Sequence, residues 1–240
     1  MQIKEIYERL DQLSPFALQE RWDNSGLLVG EMEREFEHLA LGLDLDKESL
    51  ENAKENTLFI VHHPLIFSGL KSLDFSKYPA NLLEIMVKKN LSLIAMHTNF
   101  DKTHLNSYVF EKVLGFKKSS QDEFICRTTG SWSKEELLQL LKEKLGLEVL
   151  KVVSPKQKIT SIALTTGAGA SLIDEVEADC FLTGDIKYHD ATKAMSQNLM
   201  MVDIGHYESE QFFVDVMAKE LKNLGILGII SQSQNPFEIS

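Results

Sequence analysis

Four histidines, His62, His63, His97 and His206, stand directly after short apolar runs: TLFIV at 57–61, LSLIAM at 91–96 and LMMVDI at 199–204. Imidazole binds divalent transition metals and moves protons near neutral pH, and α/β proteins place such groups in the loops that follow strands. His62 and His63 are adjacent, so near a strand end their side chains diverge and serve two centres more readily than one; Pro64 pins the backbone behind them. His206 and Glu210 are four residues apart, and a helix beginning near His206 brings both to one face. Imidazole nitrogen with carboxylate oxygen is a ligand set suited to zinc, manganese or iron. Asp101, four residues beyond His97, offers a second carboxylate, while His97 itself could be a ligand, a general base or a donor to a ligand. Each element alone has an ordinary reading: a satisfied core histidine, a surface His–Glu pair, or an Asx turn at Thr98-Asn99 that caps a helix. Taken together, the histidines and the two carboxylates suffice for two metals bridged by a carboxylate.

The elements that must position them are legible in the same way. Apolar runs at 38–45, 57–61, 91–96, 159–166, 199–204 and 225–231 alternate with stretches of helical period at 3–13, 47–55, 79–89, 105–114, 133–145, 188–197 and 207–222. Such alternation predicts an α/β fold with strands buried on both faces. Gly115 and Gly146 read as helix C-caps, and Ser133 with Glu136 as a capping box. Residues 90–101 and 198–210 share one layout: Asn-Leu, an apolar strand, a His, and a carboxylate four residues after it. TLFIVHHP at 57–64 and CFLTGDIKYH at 180–189 stand upstream of them as a second matched pair. The expectation is two lobes of one plan, residues 1–115 carrying His62, His63, His97 and Asp101, and residues 116–240 carrying Asp185, His206 and Glu210. The boundary is set in the polar stretch 116–130, and the C-terminal strand could return to the first lobe.

Composition bounds the setting. The chain has 240 residues, 36 acidic against 25 basic, a formal charge of −11 and 43% hydrophobic residues, enough to bury a sizeable core. Two cysteines, Cys126 and Cys180, cannot build a disulfide framework, which fits a reduced, cytoplasmic protein. The N-terminal stretch is interrupted by charge, unlike a signal peptide, and no apolar run is long enough to span a bilayer. The acidic balance argues against generic nucleic-acid binding.

His62-His63-Pro64, His97-Thr98-Asn99 with Asp101, and Gly205-His206-Tyr207 with Glu210 resemble the signature of the NIF-three-like, YbgI-type family of dinuclear metal proteins, also labelled GTP cyclohydrolase I type 2. Glu20-Arg21-Trp22-Asp23-Asn24-Ser25-Gly26-Leu27 is similar to its E-x-W-D-N-x-G-L segment, and Thr183-Gly184-Asp185 with His189 to its T-G-[DE]-x-x-x-H segment. Thr166-Gly167-Ala168-Gly169 resembles its glycine turn, with Thr in place of the first Gly. The resemblance covers nearly the whole chain.

That resemblance implies a fold of two interlinked, similarly built α/β lobes with a dinuclear metal site between them, assembled into a toroidal homohexamer. It implies two divalent metal ions per subunit, Zn, Mn, Fe or Ni, held by His62, His63, Asp101, His206 and Glu210. Glu210 is the natural bridge, because a carboxylate can give one oxygen to each ion. The implied activity is hydrolysis of GTP to formate and 7,8-dihydroneopterin triphosphate through a metal-activated water, with His97 as catalytic proton carrier and Asp185 or His189 as second choices. Lys71, Lys102, Lys187 and Arg127 could meet the triphosphate, and Trp22 could form a wall of the site. The alternatives are a phosphoesterase using the same metals, and a non-catalytic metal-handling or ring-forming interaction protein.

Overall fold

A computed structural model of the chain describes residues 1–231 and 234–238. The backbone is mixed α/β with two sheets, as the alternation of apolar runs predicts. In chain order the strands are β1 (Gly26–Val29), β2 (His38–Gly42), β3 (Thr57–Val61), β4 (Ser92–Ala95), β5 (Ser120–Asp122), β6 (Ile125–Ser133), β7 (Lys151–Val153), β8 (Lys158–Leu164), β9 (Cys180–Thr183), β10 (Met200–Asp203) and β11 (Ile229–Ile230). The chain divides into two compact units, Met1–Phe100 with Phe213–Ser240, and Asp101–Phe212. The expected boundary at 115/116 lies inside the second unit, and the stretch from Phe213 onward counts with the first.

In the first unit the sheet runs β1-β4-β3-β2-β11. Strands β4, β3, β2 and β11 are parallel neighbours, and β1 lies antiparallel on β4. Every residue of β3 and β4 is buried, as a parallel sheet covered on both faces requires. Helix Ala80–Lys88 turns Leu82, Leu83 and Met86 onto Phe59, Val61, Leu91 and Leu93. Truncating the fully buried Phe59 to alanine is expected to cost about 3–5 kcal/mol. Val61 stands opposite Ala95, and the Met96 N–H donates to the Val61 carbonyl at 2.8 Å. The chain therefore leaves β3 and β4 at one level, which brings His62-His63 beside His97.

The second unit repeats the plan. Its sheet runs β5-β6-β8-β9-β10-β7, with β8, β9 and β10 parallel and antiparallel strands on both sides of them. Thr183 stands opposite Asp203, and the Ile204 N–H donates to the Thr183 carbonyl at 3.0 Å. This is the same exit geometry, and it brings Gly184-Asp185 beside Gly205-His206. Ser133 and Glu136 close the expected capping box of helix Lys134–Leu145, and Gly146 caps it at φ 69°.

Several details differ from the sequence-based expectation. Strand β6, the longest, starts inside the stretch read as a boundary. It is antiparallel and half-exposed, ICRTTGSWS, and its threonines favour strand without forming an apolar run. The helix expected over 207–222 is two helices, His206–Glu210 and Phe213–Asn223. The expected helix at 105–114 begins earlier and contains two π-helical turns, Asp101–Leu105 and Val109–Val113. Cys126 and Cys180 are buried and unbridged, and burial pushes the Cys126 thiol up to about 11. Among the described residues no helix is long and apolar enough to cross a membrane.

Candidate functional site

In the first unit, one nitrogen from each of His62, His63 and His97 lies within 4.8 Å of the other two. The rings of His62 and His63 are 5.0 Å apart between centroids, and that of His97 is 5.1 Å from His62 and 5.7 Å from His63. His62 is buried, with its ring tilted against Phe213. Nδ1 is held by an oxygen in all three. His62 donates to the Met96 carbonyl at 2.9 Å, His63 faces Asp44 Oδ1 at 2.8 Å, and His97 faces Asp23 Oδ1 at 2.8 Å. A carbonyl or carboxylate oxygen only accepts, so each ring carries its proton on Nδ1 and presents Nε2. Burial by itself would raise the Asp23 carboxyl, but hydrogen bonds from His97, Thr98 and the Asn24 N–H bring it well below the usual carboxylate range.

The second unit holds the remaining expected residues. Gly205, with φ 77°, starts the short helix His206–Glu210. His206 Nε2 lies 2.9 Å from Glu210 Oε2, so the predicted i, i+4 face is present. His206 Nδ1 lies 2.8 Å from Asp185 Oδ2, which repeats the orientation seen in the first unit. Asp185 is thus a partner of His206, whereas sequence spacing pairs it with His189. Glu210 is buried and its carboxylate rests on a glycine: a Cβ on Gly167 would lie 1.9 Å from Glu210 Oε1. The Gly167 N–H donates to Ser209 Oγ at 3.0 Å, and Asn106 Oδ1 holds the Thr166 N–H at 2.7 Å, which fixes this turn. Asp101 is buried at the head of the π-helical turn Asp101–Leu105; such turns are frequent at functional sites.

Of the four cations suggested for a triphosphate, Lys71 and Lys187 are exposed. The other two are committed. Lys102 pairs with Glu123 at 2.7 Å and sits over the Phe124 ring, and Arg127 donates to the Glu175 carbonyl at 3.0 Å. Trp22 is exposed and meets His97 edge-on at 6.4 Å, with Phe67 alongside at 5.9 Å. Sequence reasoning missed Asp44 and the orienting parts played by Asp23 and Asp185. Asp44 had one signal: it lies two residues past the end of β2, the parallel neighbour of β3.

These donors fit a divalent transition metal. Histidines whose second nitrogen is tied to a carboxylate or carbonyl are the arrangement that metal ligands usually show, and nitrogen with carboxylate oxygen suits Zn, Mn, Fe and Ni alike.

Comparison with known proteins gives the family. A family model described as Duf34/NIF3 (NGG1p interacting factor 3) matches residues 1–236. A Campylobacter jejuni protein named GTP cyclohydrolase 1 type 2 homolog is 49% identical over 239 residues, covering 99% of both chains. A Helicobacter pylori protein named GTP cyclohydrolase 1 type 2 is 41% identical, covering 99% of this chain and 98% of its own. Among solved structures, a Staphylococcus aureus hypothetical protein has a TM-score of 0.83 at 25% identity, covering 100% of this chain and 99% of that one. Reduced HcgD from Methanocaldococcus jannaschii has a TM-score of 0.80 at 26% identity, covering 96% and 97%. The chain belongs to the Duf34/NIF3 family.

Proposed function

We propose that the protein is a divalent-metal-dependent hydrolase that opens the imidazole ring of GTP, giving formate and 7,8-dihydroneopterin triphosphate. The observation that carries this reading is the shared orientation of His62, His63, His97 and His206, each with Nδ1 tied to an oxygen. His62, His63 and His97 thereby share one tautomer, which a purely structural set of histidines does not need. In this reading His62, His63, Asp101, His206 and Glu210 would hold two divalent ions, Glu210 being the carboxylate able to serve both. Such a pair, when bound, supplies Lewis acidity that lowers the pKa of a coordinated water and polarises the electrophile.

The chain's own groups do the rest. His97, not counted among the ligands, would take and return a proton at Nε2 as one water opens the ring at C8 and a second releases C8 as formate; the ribose carbons then rearrange and close the new ring with loss of one water. Trp22 and Phe67, exposed beside His97, offer flat faces on which a purine can stack. Lys71 and Lys187 are the exposed cations that remain for the triphosphate. The names of the Campylobacter and Helicobacter relatives support a nucleotide substrate. The family resemblance also carries assembly into a homohexamer, which would cover exposed apolar side chains such as Leu73, Phe75 and Tyr78.

The test is incubation of the metal-loaded protein with GTP and with a panel of phosphoesters. Formate together with a fluorescent pterin is the expected result. Phosphate release without formate would establish the phosphoesterase alternative in its place, and no turnover on any compound would favour a metal-handling role.

A further inference from the structure

We infer that Asp23 is the positioning residue for His97, fixing its ring in the Nδ1–H tautomer so that Nε2 is its only basic nitrogen. This rests on the reading of His97 as the proton carrier, and it adds a residue from a separate loop to the machinery. Asp23 lies in the loop before β1, yet its side chain is 0% exposed. The other two orienting carboxylates, Asp44 and Asp185, are 52% and 55% exposed. Water can therefore stand in for Asp44 and Asp185, and it has no route to replace Asp23.

Among the described residues five donors face this carboxylate. Oδ1 accepts from His97 Nδ1 at 2.8 Å and from the Asn24 N–H at 2.7 Å. Oδ2 accepts from Ser25 Oγ at 3.1 Å, from the Thr98 N–H at 3.1 Å, and from Thr98 Oγ1. An acceptor surrounded by donors on both oxygens stays ionised and leaves His97 no choice but to present N–H. Ser25 Oγ also accepts the His97 backbone N–H at 3.1 Å, so one loop fixes both the backbone and the ring of His97. A carboxylate that served only its own turn would need Asn24 and Ser25 alone. Contacts reaching His97 and Thr98 point to a second task.

Asparagine at position 23 keeps the shape but cannot keep the pattern. Whichever way its amide faces, an NH2 opposes a donor, and when it faces His97 it inverts the imidazole tautomer, as replacing the orienting Asp of a catalytic triad does. The test uses the full chain with Zn2+ supplied, labelled with 15N-histidine, and solid-state NMR at pH 8, with His97 assigned from the signal lost in His97→Gln. The wild type should show His97 protonated at Nδ1 alone. Asp23→Asn should convert it to the Nε2–H form and lower kcat by about a hundredfold or more, with KM and metal content little changed. Ser25→Ala, which perturbs the same loop and spares the carboxylate, should retain the Nδ1–H form. A wild-type ring protonated at Nε2 or at both nitrogens would overturn the inference, whether or not the variant folds, and so would Asp23→Asn with an unaltered tautomer. The NMR result does not depend on the substrate: absence of turnover on GTP with the Nδ1–H tautomer present would count against the cyclohydrolase reading and leave the positioning role standing.

Discussion

The two units present different chemistry on one ladder. In each, three adjacent parallel strands, β2-β3-β4 and β8-β9-β10, end at a common level. Past those ends the first unit sets Asp44, His62-His63 and His97, and the second sets Thr166-Gly167, Gly184-Asp185 and Gly205-His206. The first unit is positioned by hydrogen bonds: three bulky imidazoles, each anchored at Nδ1. The second is positioned by room. Gly167 clears space for the Glu210 carboxylate, and a Cβ on Gly184 would lie 2.7 Å from the His206 backbone nitrogen. One residue past that common level Gly205 stands where the first unit has His97, and the short helix that follows buries Glu210. A repeated fold thus carries a cluster of imidazoles in one copy and, in the other, an imidazole beside a seated carboxylate, donor types that divalent metals accept.

This contrast can be broken at its most demanding point by Glu210→Gln. If the second unit exists to seat a carboxylate, the amide should weaken metal binding by more than about a hundredfold, since loss of an outer partner alone costs roughly 10–100-fold. Elemental analysis after dialysis checks it, and unchanged metal content would remove Glu210 from the ligand set. A smaller effect sharpens the claim about room. Gly167→Ala places a Cβ against Glu210 at a φ of 61°, whereas Gly115→Ala meets nothing within 4 Å at a φ of 77°. Urea denaturation should show about 1 kcal/mol lost for Gly115→Ala and about 3 kcal/mol or more for Gly167→Ala. Equal losses would mean that backbone strain alone matters at Gly167.

The smallest effect separates the units by pH. Burial by itself would raise the Asp179 carboxyl, but the Lys156 ammonium, the Thr160 hydroxyl and the Thr160 N–H bring it down to about 2 from 3.8. A carboxylate with a depressed folded-state pKa stabilises the fold above pH 3.8, and the contribution is lost as pH falls toward 2. Solvent screening holds it to under about 1 kcal/mol. Asp179→Asn should therefore lower Tm slightly at pH 5 and leave it unchanged near pH 2. An equal loss at both pH values would assign the effect to the lost hydrogen bonds alone.

Most of this framework was legible in the sequence, for identifiable reasons. Strand-end histidines announce themselves because parallel strands read as apolar runs and end abruptly in polar loops, which placed His62, His63, His97 and His206. The His206–Glu210 face follows from helical spacing. The partners were harder. Asp44 and Asp23 reach their histidines across 19 and 74 residues of chain, distances that local spacing cannot bridge, and Asp185 turned to His206 in place of His189 because parallel β9 and β10 end side by side. Strand β6 escaped because a half-exposed antiparallel strand needs no continuous apolar run. The break between helices His206–Glu210 and Phe213–Asn223 carries no Gly or Pro to mark it.

The central proposal is that His62, His63, Asp101, His206 and Glu210 hold two metal ions. The most direct measurement is electron paramagnetic resonance of the protein loaded with Mn2+. Two ions per chain with the spectrum of an exchange-coupled pair are expected, as a carboxylate shared between them would give. A single ion per chain, or two ions with the spectrum of isolated Mn2+, would contradict it.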